Sequence, residues 1–213
     1  MEPIEKIVIE TIGIDQDIFN RAKFIYSEPR RYYHTFEHAM DVCSQVHLIM
    51  QGPKWNDPRE AMAAALYHDA IYTPGAEDNE ERSAELAVFE LASIEGLKPS
   101  VIVNHINNTA HHFKHISWLT DDGALFLDCD LAGLANDWET FLVKNQAIDK
   151  EFLASGTEED VKSGRISFLE NVLNLPRIYS SKYAYNLYEK AARANITRLL
   201  EEMRMKHDGK QYC

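Results

Sequence analysis

Apolar residues recur along this chain every three or four positions, and that spacing predicts helices nearly throughout. Ile18, Phe19, Ala22 and Ile25 form one stripe behind Asp15, a residue suited to cap a helix start. SEPRRYY breaks the pattern, and a second helix is expected from near Thr35 to about Met50. QGPKWND reads as a loop. Pro58 stands where a first helical turn tolerates proline, and the run behind it carries to Asp69. After TPGAEDN, Asn79 is placed to cap a helix reaching Ile94, with Gly96 marking its end. Pro99 opens another, with Ile102, His105, Ile106, Thr109 and His112 at helical spacing, and SWLTDDG separates it from ALFLDCDLAGLA. Helices of about Trp138 to Ala154, Glu158 to Leu173 and Tyr183 to Arg204 complete the pattern. No alternating run is long enough to read as a strand, and there is no internal repeat, low-complexity segment or Gly-rich phosphate loop. The expectation is an all-α protein forming one compact helical bundle. Its core covers about residues 27–200, with an N-terminal helical extension over 1–26 and a frayed tail over 205–213.

Composition narrows the function classes. A chain of 213 residues, 45 % of them apolar, suits one globular domain with a sizeable core. The net charge of −12 argues against a general nucleic-acid or anionic-membrane surface. An anionic substrate stays compatible, because one bound cation and a few Arg residues reverse the field inside a pocket. Cys43, Cys129 and Cys213 form no C-x-x-C pair and suit a reducing compartment. MEPIEKIVIETIG is too acidic for a secretory signal, and no apolar run approaches the roughly 18 residues of a membrane helix. These readings place the protein in the cytoplasm.

The chemistry gathers around AAALYHDAIYTP, where an apolar helical run ends in His68 and Asp69. Neighbours on a helix point about 100° apart, but at a helix end the backbone relaxes and both side chains reach one point. A divalent ion accounts for the doublet, since it accepts imidazole nitrogen and carboxylate oxygen together. Two ligands do not hold an ion, so others must come from separate helices. His34 and His38 stand four residues apart, on one helix face. Asp128 and Asp130 lie inside an apolar frame of Leu125, Phe126, Leu127, Leu131 and Leu134, where a carboxylate is costly unless paired or bound to metal.

In this order, the residues resemble the HD-domain superfamily of metal-dependent phosphohydrolases, and more closely an uncharacterised branch of predicted HD phosphohydrolases. The stretches that carry the resemblance are RRYYHTFEH, YHDAIY, DNEERSA, TAHH, FLDCDLAGL, the Gly164-Arg165 pair, Ile178-Tyr179 and ARANI. Together they span about Ser27 to Leu200. The resemblance implies an HD-type bundle with His38, His68, Asp69 and Asp130 as ligands of one divalent ion, Mn, Fe, Co, Ni, Zn or Mg. Asp128 is the alternative ligand to Asp130. It implies hydrolysis of a phosphomonoester or phosphodiester, of a nucleotide or another small molecule, by a metal-activated water. Arg31, Arg82, Arg165 and Arg193 are then expected to bind phosphate through paired charge-assisted hydrogen bonds, and Tyr33 and Tyr72 to wall a base-stacking pocket. Glu80 would position the water or pass a proton, and His34 or His112 would supply the proton for the leaving group.

Each role has a plainer rival. The arginines serve equally as surface charges or structural ion pairs, Glu80 as a first-turn carboxylate, the tyrosines as core, and His105 and His112 as packed histidines. Two other functions compete. One is a two-metal relative of the di-iron oxygenase type, drawing on His105, His111, His112 and His115, although no histidine lies between His68 and His105. The other is a non-enzymatic nucleotide or ligand sensor on an HD scaffold.

Overall fold

Among the described residues, ten α-helices and one 3-10 turn carry the chain, and no strand occurs. The computed structural model describes residues 3–53, 55–114, 118–153 and 156–208, with side chains through Met205. The helices are α1 (Ile4–Ile12), α2 (Gln16–Ile25), α3 (Phe36–Met50), α4 (Pro58–Tyr67), α5 (Asn79–Glu90), α6 (Pro99–Thr109) and α7 (Asp121–Leu131). The 3-10 turn Ala132–Ala135 leads into α8 (Trp138–Phe152), α9 (Glu158–Asn174) and α10 (Lys182–Asp208). The protein is all-α, as the periodicity predicts. No helix among the described residues is long and apolar enough to cross a membrane.

Local chemistry sets the boundaries. Gly13 closes α1 at φ +80°, a left-handed conformation that costs glycine little, and its N–H donates to Ile9 O at 2.9 Å. Asp15 caps α2 by accepting from Ile18 N at 2.8 Å. Thr157 and Asp160 form a reciprocal capping box at the start of α9.

α4 is the central helix and packs against α1, α3, α5, α6 and α7. Every residue from Glu60 to Tyr67 is buried, and Ala61, Ala63, Ala64 and Ala65 let those neighbours approach closely. Glu60 is tolerated there because it accepts from Lys98 N at 3.0 Å, just ahead of α6. Around α4 lies a first apolar cluster running from Val8 and Ile12 through Val46, Leu66 and Ile106 to Phe126. A second cluster joins α8, α9 and α10 through Phe141, Leu169, Val172, Ala192 and Ile196. α7 and the 3-10 turn link the two: Leu125, Phe126 and Cys129 enter the first, while Leu131 and, on the turn, Leu134 pack on the second.

Several boundaries differ from those expected. α4 ends at Tyr67, so His68 and Asp69 stand on the turn beyond it, where Ala70 N donates to Tyr67 O at 3.0 Å. Asn79 is the first residue of α5 rather than its cap. Its amide ties down the preceding loop, accepting from Thr73 N at 2.9 Å and donating to Thr73 O at 3.0 Å. α5 stops at Glu90 and turns lead to Gly96. α7 already starts at Asp121, because the Thr120 hydroxyl accepts from Gly123 N at 3.0 Å and draws DDG into the helix. α10 runs on to Asp208, beyond the expected end near Arg204. Ala154 and residues 209–213 lie outside the described residues.

Candidate metal centre

Three elements deliver four side chains to one point. His38 comes from the first turn of α3, His68 and Asp69 from the turn after α4, and Asp130 from the last turn of α7. His38 Nε2 lies 3.1 Å from Asp130 Oδ1 and 3.4 Å from Asp69 Oδ2. His68 Nε2 lies 3.0 Å from Asp69 Oδ2 and 3.5 Å from Asp130 Oδ1, and the two imidazole nitrogens are 3.2 Å apart. His38, His68 and Asp130 form a compact set with all ligand atoms within 4.8 Å of one another. Asp69 approaches both imidazoles as closely, so we count it as the fourth member. Ligands about 2.1 Å from an ion stand about 3.0 Å apart at a right angle and about 3.4 Å apart at the tetrahedral angle. The observed separations match that range.

The tautomer of His68 also fits a ligand. Its Nδ1 sits 3.0 Å from Ala65 O, a carbonyl that only accepts, so Nδ1 carries a proton and Nε2 is the atom that faces the centre and would serve as ligand. Burial opposes charge on all four groups. Against it, the Asp69 and Asp130 carboxylates push His68 well above its ordinary pKa, and Asp130 and Asp69 raise His38. In return, His68 and His34 hold Asp69, and His68 and His112 hold Asp130, well below the carboxylate range. The cluster favours positive charge at its middle, which a divalent ion supplies. The donor set of imidazole nitrogen and carboxylate oxygen suits Mn, Fe, Co, Ni or Zn.

Asp128 and Asp130 are two residues apart on a helix and therefore about 200° apart around it. Asp128 faces away from the imidazoles. Its two oxygens accept from Ser180 N and Ser181 N, each at 2.7 Å, and fasten the start of α10. Asp130 keeps one oxygen for the cluster, and its other oxygen is 2.7 Å from His112 Nε2.

The cluster opens into a pocket of about 430 Å³. His34, Tyr33, Tyr72, Glu80, His112 and Arg165 all line it. His34 Nδ1 lies 2.5 Å from Glu151 Oε2. The other oxygen of Glu151 accepts from Tyr32 N, Tyr33 N and His34 N at 2.7, 2.7 and 3.0 Å. Burial favours the neutral acid at Glu151, yet His34 and these amides bring its pKa below the ordinary value. An ionised Glu151 thus orients the His34 ring, whose Nε2 is left for the pocket. Tyr72 stacks on His34 with ring centroids 3.8 Å apart, so one of its faces is taken, and Tyr33 packs on His38 at 4.6 Å.

Three of the four arginines expected at phosphate are engaged elsewhere. Arg31 is buried, and Nη1 donates to His34 O at 3.0 Å and Asp69 O at 2.7 Å. Its Nη2 donates to Ala70 O at 2.7 Å and Glu28 Oε2 at 2.8 Å. Arg193 donates to Leu173 O, Leu175 O and Glu189. Arg82 is half exposed, 3.9 Å from Asp78, and does not line the pocket. For Arg31 and Arg193, carbonyls and a neighbouring carboxylate satisfy the guanidinium before a substrate would, whereas Arg82 simply stands outside the pocket. His105 is packed on Phe126, and burial lowers its pKa to about 4, so it stays neutral in the first core. His111 lines the pocket mouth with Nδ1 on Ala110 O at 2.8 Å, and His115 lies outside the described residues.

No family model matches this sequence, and no curated protein matches it. Its fold, however, is shared with solved structures. The phosphodiesterase domain of Salpingoeca rosetta rhodopsin phosphodiesterase superposes with a TM-score of 0.68 at 16 % identity, over 95 % of this chain and 86 % of that one. A second structure, of the phosphodiesterase domain of the RhoPDE fusion protein from the same choanoflagellate, gives 0.66 at 16 % identity over 97 % and 88 %. LmjPDEB1 in complex with IBMX gives 0.60 at 13 % identity over 95 % and 83 %. The chain therefore has the helical fold of phosphodiesterase domains.

Glu151 is the residue of this site that sequence reading passes over. Its signal is faint: a carboxylate on the buried side of a helix that also buries Phe141 and Asn145.

Proposed function

We propose that this protein is a divalent-metal-dependent phosphoester hydrolase acting on a phosphomonoester or phosphodiester of a nucleotide or another small molecule. One observation carries the reading: four ligand-type side chains from three elements converge at 3.0–3.5 Å in the wall of a pocket. The fold likeness to phosphodiesterase domains and the resemblance to HD phosphohydrolases support it from two other directions. His38, His68, Asp69 and Asp130 would hold one ion, which when bound lowers the pKa of a water and draws charge from phosphoryl oxygens.

The rest of the work falls to the chain. His112 fixes the Asp130 carboxylate, and the Ala65 carbonyl fixes the His68 ring. Glu80, at the head of α5, takes the proton from the attacking water as its oxygen bonds to phosphorus. The phosphorus–oxygen bond to the leaving group breaks, and that oxygen receives the proton from His34 Nε2. Glu151 holds Nδ1 of that ring at 2.5 Å and keeps it aimed. Phe113, Leu131, Leu134 and Phe168 give the pocket an apolar wall beside the cluster. The two-metal alternative has less support: of His105, His111 and His112, only His112 touches the cluster, and it does so through Asp130.

The test is elemental analysis of protein purified without chelator, beside an Asp69→Ala variant, followed by a phosphate-release screen over monoesters and diesters with each divalent ion. Near one ion per chain, lost in the variant, with turnover of some ester, is the expected result. Ligand-induced thermal stabilisation without turnover across the whole screen points to the sensor instead.

A further inference from the structure

Away from the metal ligands, α8 and α9 build a second part of the pocket wall around Arg165. Its side chain is 11 % exposed. Nε donates to Asp149 Oδ1 at 3.2 Å and Nη2 to Asn145 Oδ1 at 2.6 Å, while Nη1 has no partner among the described residues. The guanidinium lies over the Phe168 ring, 5.4 Å from its centroid, and Phe168 packs edge-on against Phe113 at 5.5 Å. A guanidinium does not shed its proton, so a buried one with a single contact to a 40 % exposed carboxylate is short of negative charge. Burial does lower its pKa despite Asp149.

The same wall offers few acceptors. Asn145 is the only carboxamide among the lining residues, and both its ends are used: its oxygen by Arg165, its nitrogen by Phe141 O at 2.9 Å. The protein thus holds that carboxamide in place, and Arg165 Nη1 is the donor of this wall without a partner among the described residues. Two more cations line the pocket, Lys114 and Lys144, the latter held by Asp41 at 2.5 Å. Of the lining carboxylates, Asp69 and Asp130 belong to the metal cluster and Glu80 sits on α5. Tyr33 marks the other end: its ring rests on His38 at 4.6 Å, and it lines the same pocket as Arg165.

We propose that the substrate carries a second anionic group, a further phosphate or a carboxylate, and that Arg165 reads it while the body between lies on Phe168 and Phe113. The inference rests on the hydrolase reading and names its substrate class. A pocket of about 430 Å³ has room for an ester of that kind. The second anion completes the open Nη1 side of the fork in a charge-assisted hydrogen bond.

The experiment uses the metal-loaded full chain and a matched series: 4-carboxyphenyl, 4-carbamoylphenyl and phenyl phosphate, each as monoester and as methyl diester. The carboxylate member should exceed the two neutral ones in kcat/KM by about 10-fold or more, carried by KM and reduced by added salt. In Arg165→Gln that ratio should fall to about 1, and Arg165→Lys should keep part of it. Bound metal per chain and a thermal melt establish that each variant is folded, and the wild-type ratio stands as a test even if neither variant folds. Hydrolysis with no preference for the charged member, or a preference that survives Arg165→Gln, overturns this inference alone. Absence of hydrolysis across the series overturns the hydrolase reading and this inference with it.

Discussion

The two apolar clusters are built around different centres. The first is interlocked about α4, whose neighbours close on a face of alanines, and buried Glu60 and Asp122 grip the amides of Lys98, Asn56 and Asp57 at its edge. The second has no such central helix, and more of its loops are fastened by buried carboxylates that grip backbone amides. Glu151 holds the loop at Tyr32–His34, Asp128 holds Ser180 and Ser181, and Glu189 holds Ile178 and Tyr179 at 3.0–3.2 Å. The difference separates two tasks. The rigid side carries His38, His68 and Asp69, whose geometry an ion tolerates poorly if it drifts. The clasped side supplies Asn145, Arg165, Phe168 and the Glu151 partner of His34, which shape the substrate end. A change on the first side should act through the metal, and a change on the second should act at constant metal content.

The sharpest break of that contrast is His68→Ala or Asp69→Ala, expected to remove the ion and lower activity by about 10³-fold or more, read by elemental analysis and turnover. Next comes Glu151→Gln, which keeps an acceptor for the three amides but removes the carboxylate that faces His34 Nδ1. It should lower kcat by about 10²- to 10³-fold with bound metal unchanged. In stability, Leu66→Ala in the first core should cost about 2–5 kcal/mol by denaturant melt. Asp128→Asn should cost about 1–3 kcal/mol and keep the ion, whereas Asp130→Asn should lose it. If Asp128→Asn loses metal instead, the two sides are not separable in this way.

The smallest effect concerns pH in the metal-free protein. His68 and His38 titrate above their ordinary 6.5 in the fold, so their stabilisation is fully present below about pH 6.5 and is lost as pH rises through the raised values. Asp69 and Asp130 titrate below 3.8, so theirs is present above about pH 3.8 and is lost as pH falls through the lowered values. The chelated protein should therefore melt highest between these limits and lose a few degrees toward alkaline pH. Added Mn²⁺ or Zn²⁺ should raise Tm more at about pH 9 than at about pH 6, because the ion displaces protons. Equal shifts at both pH values would count against the coupled cluster.

Helical periodicity carried most of the architecture, since a 3.6-residue stripe is a local property. The end of α4 was less legible because partners distant in sequence, such as Arg31 on the Asp69 carbonyl, help fix it, whereas the early start of α7 is set locally by the Thr120 cap. The order of His38, His68, Asp69 and Asp130 pointed to one centre, but the apolar frame surrounds Asp128 and Asp130 alike, and only the turn of α7 tells them apart. The arginines were least legible. A sequence gives their charge but not their partners, and for Arg31 and Arg193 those partners include main-chain carbonyls, which have no sequence signature. Glu151 was hidden for the opposite reason: among Asp149, Lys150 and Glu151, burial alone singles it out.

Arg31 has one more consequence. A single guanidinium spans the strip of chain that ends in His34 and the turn that bears Asp69, like a brace nailed to two beams. The gap between proton source and cation is thereby set from behind the cavity, by a side chain that never meets the substrate. Exchanging it for lysine, with one ammonium in place of a fork, would leave every reacting group in the chain yet let their spacing wander, and esters with the poorest leaving groups would slow first.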